Sequence, residues 1–291
     1  MATIIVHGTM TTTPAHHLHW WWRSWGEEGF LRGITDGMTA VSGLEDIWKI
    51  DGVLVESIPE LHPKWSFWTG GMGQFSQHDG YFMWVGGDSY AERDAGAHHL
   101  ALYLSKIVEI APEEPIRIIA HSHGCNVVKK ATMLKELADT VFIESTVFLA
   151  CPHFETHLIH DHEWYYPYCL NPSRVGKILN LYSKYDTVQT EIAEKLPSTL
   201  ISTNWREWSP PKAHRIDQDP EVASLYENFE IATMDEGIAA HGAMHGITIG
   251  RLVGIWLEST DTFNDIVQTI QEKVGDEPLI VPVDDDGEGI D

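Results

Sequence analysis

The sequence predicts an α/β fold with a central, mostly parallel sheet flanked by helices. Short apolar runs of β-type residues alternate with stretches whose apolar residues recur at helical spacing. No Pro/Gly/Ser-rich linker and no internal repeat divides the 291 residues. A chain of this length can bury about 75% of the surface that its unfolded form exposes, so it folds without disulfides or metals. One domain is therefore expected over residues 1–275. Residues 276–291, with Asp284-Asp285-Asp286 and two glycines, read as a flexible acidic tail.

The elements follow in order. Thr3–Val6 is the first strand, and Phe82–Val85 a second, ended by Gly86-Gly87. Ala97, Leu100, Ala101, Leu104 and Ile107 share one face of a helix that Pro112 and Pro115 stop. Ile116–Ala120 is a short buried strand, and a helix from about Asn126 to Leu137 follows it. Thr146–Ala150, Ile178–Ser183 and Phe229–Ala232 are further strands. Two helices close the domain. One runs over Gly246–Leu257 with Ile249, Leu252, Val253 and Trp256 on one face, and the last carries Phe263, Ile266, Val267 and Ile270. The intervals of about 10–80 and 152–176 lack such patterns and read as cap-like insertions.

Charge excludes several classes of partner. Lys and Arg number 19 against 43 Asp and Glu, a net charge of −24. Phosphate contacts need basic side chains, so no nucleic-acid partner is expected. Adsorption to anionic lipid is disfavoured for the same reason. No segment holds 18 uninterrupted apolar residues, so no membrane insertion is expected. Met1-Ala2-Thr3-Ile4-Ile5-Val6 lacks the basic and long apolar regions of a signal peptide, and a cytoplasmic location is expected. Cys125, Cys151 and Cys169 show no CxxC spacing and read as thiols in a reducing compartment, although a Cys151–Cys169 bridge is an alternative.

The strongest chemical signal is Ala120-His121-Ser122-His123-Gly124, directly between a strand and a helix. A nucleophilic Ser needs that context. A sharp strand-to-helix turn lifts its Oγ clear of the backbone, and small residues two before and two after leave room for the turn. The helix N-terminus supplies a positive dipole end and N–H groups for an oxyanion. A second signal is His7-Gly8-Thr9-Met10 after the first strand, where Gly8 lets the backbone turn tightly.

These motifs resemble the α/β-hydrolase superfamily of serine esterases and lipases, in the A-x-S-x-G variant of some bacterial lipases. The resemblance spans roughly residues 2–257, although only short motifs are specific. It implies an α/β-hydrolase fold with a lid or cap, and a Ser-His-Asp triad in the chain order Ser, acid, His. Ser122 would be the nucleophile. The N–H groups of Thr9 and His123 would form the oxyanion hole. The acid should follow a later strand, where Asp186 ends Leu179-Asn180-Leu181-Tyr182-Ser183-Lys184-Tyr185-Asp186; Asp217 and Asp235 are alternatives. The base should precede the last packed helices. His241 is preferred there over His245, because it lies farther from the Gly246 helix, in loop that can reach Ser122.

The implied activity is carboxylic ester hydrolysis through an acyl-enzyme, without a cofactor, on a small ester with an apolar acyl part. An acyltransferase, a thioesterase, an amidase and an inactive binding module share the same fold. Trp84-Val85-Gly86-Gly87-Asp88-Ser89 with Arg93 and Gly96 resembles a segment of some bacterial members; no chemistry is assigned to it, and Arg93 is read as structural. His153, His157, His160, Asp161 and His162 align with no zinc motif residue by residue, so no metal is assigned. They read as a solvated insertion followed by an aromatic wall of Trp164, Tyr165, Tyr166 and Tyr168. Trp20, Trp21, Trp22 and Trp25 should lie near the mouth of the site.

Overall fold

A computed structural model of the chain describes residues 2–6, 8, 34, 81–82, 84, 90–113, 115–152, 170–186, 224–231, 240–241, 244 and 246–274. Strands β1 (Ala2–Val6), β2 (Tyr81–Phe82), β3 (Ile116–His121), β4 (Ile143–Leu149), β5 (Val175–Tyr182) and β6 (Tyr226–Glu230) form one sheet. Its order among the described residues is β2-β1-β3-β4-β5-β6, and every neighbouring pair is parallel. Helices α1 (Tyr90–Ile110), α2 (His123–Met133), α3 (Ile247–Glu258) and α4 (Phe263–Val274) complete an α/β architecture.

An all-parallel sheet is buried on both faces, so its strands are apolar at successive positions rather than at alternate ones. β3 is buried at every residue. The period of two sorts these side chains between two cores. Ile118, Ala120, Phe148 and Ile178 face one way, against Leu100 and Leu104 of α1 and Val128 of α2. Ile119, Val147, Leu149, Leu179 and Leu181 face the other way, against Leu252, Val253 and Trp256 of α3 and Phe263 of α4. No helix among the described residues is long and apolar enough to cross a membrane.

Several boundaries differ from the sequence expectation. α2 begins at His123 rather than near Asn126, because the turn at Ser122 leads straight into the helix. It stops at Met133, where Leu134 turns extended with φ −81° and ψ 141°. Leu137 still packs in the core from the following turn, so the apolar pattern outlasts the helical backbone. β6 starts at Tyr226 and ends at Glu230, so it overlaps the expected Phe229–Ala232 only at Phe229 and Glu230; Tyr226 pairs with Ile178 and Glu230 with Tyr182. The second strand is Tyr81–Phe82, not Phe82–Val85, and buried Trp84 follows it. β5 already begins at Val175, and most of both insertions and the whole tail lie outside the described residues.

Candidate active site

The sheet order singles out one location. β1 and β3 lie side by side, and from them the chain moves outward in opposite directions, to β2 on one side and to β4, β5 and β6 on the other. Ligands of open α/β sheets bind at such a switch point, outside the carboxyl ends of the strands. Val6 pairs with Ala120, so two steps farther on Gly8 comes beside Ser122. A Cβ on Gly8 would lie 2.7 Å from Ser122 Cβ and 2.9 Å from His121 Nδ1. Glycine is therefore required by the close approach of two strand ends. Gly8→Ala is expected to destabilise the fold by about 1–3 kcal/mol, read as a lower midpoint in urea unfolding. An unchanged midpoint would mean that the two turns can separate freely.

Ser122 itself has φ 50° and ψ −131°. Positive φ is unfavourable for a residue with a Cβ, and such strain persists only where surrounding contacts enforce it. Here the Ser122 N–H donates to Leu149 O at 2.9 Å, and Ser122 O accepts from the Cys125 N–H at 3.0 Å. Ala120 and Gly124 are buried on either side. The turn is thus held by β4 on one side and by α2 on the other. His123 and Gly124 occupy the first turn of α2, where backbone N–H groups have no acceptor within the helix. The positive end of the helix dipole lies there as well.

The fully buried Asp186 follows β5 in a turn closed by its N–H to Ser183 O at 3.1 Å. Its Oδ2 accepts from His241 Nδ1 at 2.7 Å. This bond leaves His241 Nε2 as the acceptor nitrogen of a neutral ring. The His241 ring packs on the ring of His121, centroids 4.5 Å apart and tilted by 56°. Its charge, when present, also acts on His123. His241 is thus brought against the residue that precedes Ser122. Among the described residues no hydrogen bond joins Ser122 Oγ to His241; such bonds commonly tighten only when substrate is bound.

His123 is partly exposed, yet burial of its ring, reinforced by the charges of Arg93, His241 and Lys129, holds its pKa well below the ordinary histidine value. Arg93 is buried on α1. Gly96, one turn along α1, sits against Trp84, and a Cβ there would meet the indole at 3.1 Å. Cys125 and Cys151 are buried thiols below the turn, and burial pushes the Cys125 thiol well up. That makes it a poor nucleophile.

Four of the five expected site residues, Ser122, His123, Asp186 and His241, are thus gathered at the carboxyl ends of β3 and β5. Thr9 lies outside the described residues, as do His245, Asp217, Asp235, Cys169, the tryptophans at 20–25, the His-rich run and the aromatic wall. Sequence reasoning missed Asn126. It is fully buried, and its Nδ2 lies 3.2 Å from His123 Nδ1. The i,i+3 spacing on the helix is the signal that could have found it.

The sequence matches no family model and no curated protein. Among solved structures the chain is similar to an iodinated complex of acetyl xylan esterase. Identity is 9%, 94% of this chain and 98% of that chain are covered, and the TM-score is 0.36. A likeness this distant carries no argument about activity, which rests on the site. The parallel sheet and its helices define an α/β protein.

Proposed function

We propose that this chain is a serine hydrolase of the α/β-hydrolase kind that cleaves carboxylic esters. One observation carries the reading. A serine held at positive φ on a strand-to-helix turn directly follows His121, whose ring packs on His241 of a buried Asp186–His241 pair. In the reaction Ser122 Oγ attacks the acyl carbonyl while His241 Nε2 takes its proton. Asp186 holds the imidazole through Nδ1–H and stabilises the imidazolium that forms. The backbone N–H groups of His123 and Thr9 hold the tetrahedral oxyanion. His241 then protonates the departing alkoxide, and water, activated by the same ring, releases the acid from the acyl-enzyme.

A net charge of −24 favours soluble, neutral esters in the cytoplasm over anionic membrane surfaces. The aromatic insertions, acting as a cap, would favour an apolar acyl group. A fluorophosphonate probe followed by peptide mass mapping tests the reading. The expected adduct is on Ser122 alone; reaction elsewhere, or no reaction with any activated ester, would sink it. A series of p-nitrophenyl esters of rising chain length then separates an esterase from a lipase.

A further inference from the structure

The hydrogen bond to Asp186 fixes His241 at one atom only. Nδ1 is held at 2.7 Å from Oδ2, but the plane of the imidazole can still tilt about that contact. The χ2 torsion of histidine is broad and adds little restraint of its own. The Nε2 lone pair lies in the ring plane. A base held by this one bond would therefore point over a range of directions.

A second contact supplies the missing restraint. The His121 ring packs on the His241 ring with centroids 4.5 Å apart and planes tilted by 56°. That separation is at the short end of the range for paired rings, about 4.5–7 Å. Tilting the His241 plane would drive its atoms into His121. His121 does not yield readily. It is buried, it ends β3, and its backbone is paired with Leu149 of β4. Gly8 lies so near that a Cβ there would come within 2.9 Å of His121 Nδ1. Asp186 and His121 thus hold His241 from two different strand ends, those of β5 and β3.

We infer that His121 is a positioning residue whose ring sets the plane of the His241 imidazole, as Asp186 sets its hydrogen. The effect on rate rests on the hydrolase reading; the restraint on the ring does not. In that reaction the base must present Nε2 along the Ser122 O–H, and misdirection costs rate without weakening the binding of substrate. His121 takes no proton and touches no substrate in this role. It acts through ring area, so another aromatic ring should serve and a methyl group should not.

Steady-state kinetics on an activated ester compares His121→Ala with His121→Phe. Alanine removes the restraint, and kcat is expected to fall about tenfold with KM within about twofold of native. Phenylalanine restores an aromatic ring, and kcat is expected within about threefold of native. A native kcat in His121→Ala, or an equal loss in both folded variants, overturns the inference. A double-mutant cycle separates positioning from support of the fold. In a His241→Ala background the base is gone, so His121→Ala is expected to lower the residual rate no further. A further fall of similar size there would refute the positioning role. Nuclear magnetic resonance of the native chain labelled in its histidines is independent of both variants. Cross-relaxation between the two rings and one set of His241 ring signals are expected; no contact, or several ring orientations in exchange, refutes the inference even if neither variant folds. If Ser122 proves unreactive, the hydrolase reading and the effect on rate fall, and the native spectrum still decides whether His121 fixes the ring.

Discussion

Ser122→Ala is expected to lower kcat on p-nitrophenyl acyl esters by roughly a million-fold and to abolish fluorophosphonate labelling. The size follows from the role proposed for Ser122. Without Oγ no acyl-enzyme forms, and the Asp186–His241 pair has nothing to deprotonate but water. Only the oxyanion donors and substrate binding remain, which together retain about a thousand- to ten-thousand-fold acceleration over the uncatalysed reaction. The fold should survive. Alanine keeps the Cβ that the 50° φ already tolerates, and the two backbone hydrogen bonds of the turn do not involve Oγ. Circular dichroism and urea unfolding should therefore match the native chain. Substantial turnover or labelling in this variant would remove Ser122 as nucleophile.

Asp186→Asn is the second large effect, with an expected fall in kcat of about ten-thousand-fold. The side chains are nearly isosteric, so packing of the fully buried residue 186 is kept. What changes is the hydrogen on His241. The carboxylate can only accept, and at 2.7 Å it fixes the hydrogen on Nδ1, leaving a lone pair on Nε2. An amide can donate its N–H₂ to Nδ1 instead. The ring then carries its hydrogen on Nε2 and can no longer take the proton from Ser122. Fluorophosphonate labelling should slow in parallel, because it too needs an activated Oγ. Native activity in Asp186→Asn would mean that the acid lies elsewhere, with Asp217 and Asp235 the residues to change next.

Much of the described fold is legible in the sequence. The strand–turn–helix around Ser122 is local. A buried run, a turn flanked by Ala120 and Gly124 and a helical pattern all lie within a few residues of one another. Boundaries were less legible for a reason visible at Leu137. It is buried like a helical core residue, but it reaches the core from a turn after the backbone has left the helix at Leu134. β6 shows the complementary failure. Its Glu227 and Glu230 break the apolar run, and pairing with β5 rather than composition makes it a strand.

The site divides in the same way. The sequence alone determined the α/β class and the nucleophile candidate. Each of these is written in short-range periodicity or in a turn that needs a small residue. It could offer Asp186 and His241 only as candidates, each with rivals. Their 2.7 Å bond joins residues 55 apart in the chain. Asn126 shares its helix with His123 three residues away, but the orientation of its amide was hidden for the same reason, since Pro152, 26 residues away, accepts from it. Local sequence sets backbone periodicity, because that depends on near neighbours. Which buried donor meets which acceptor depends on the order of strands in the sheet, and only the folded chain decides that.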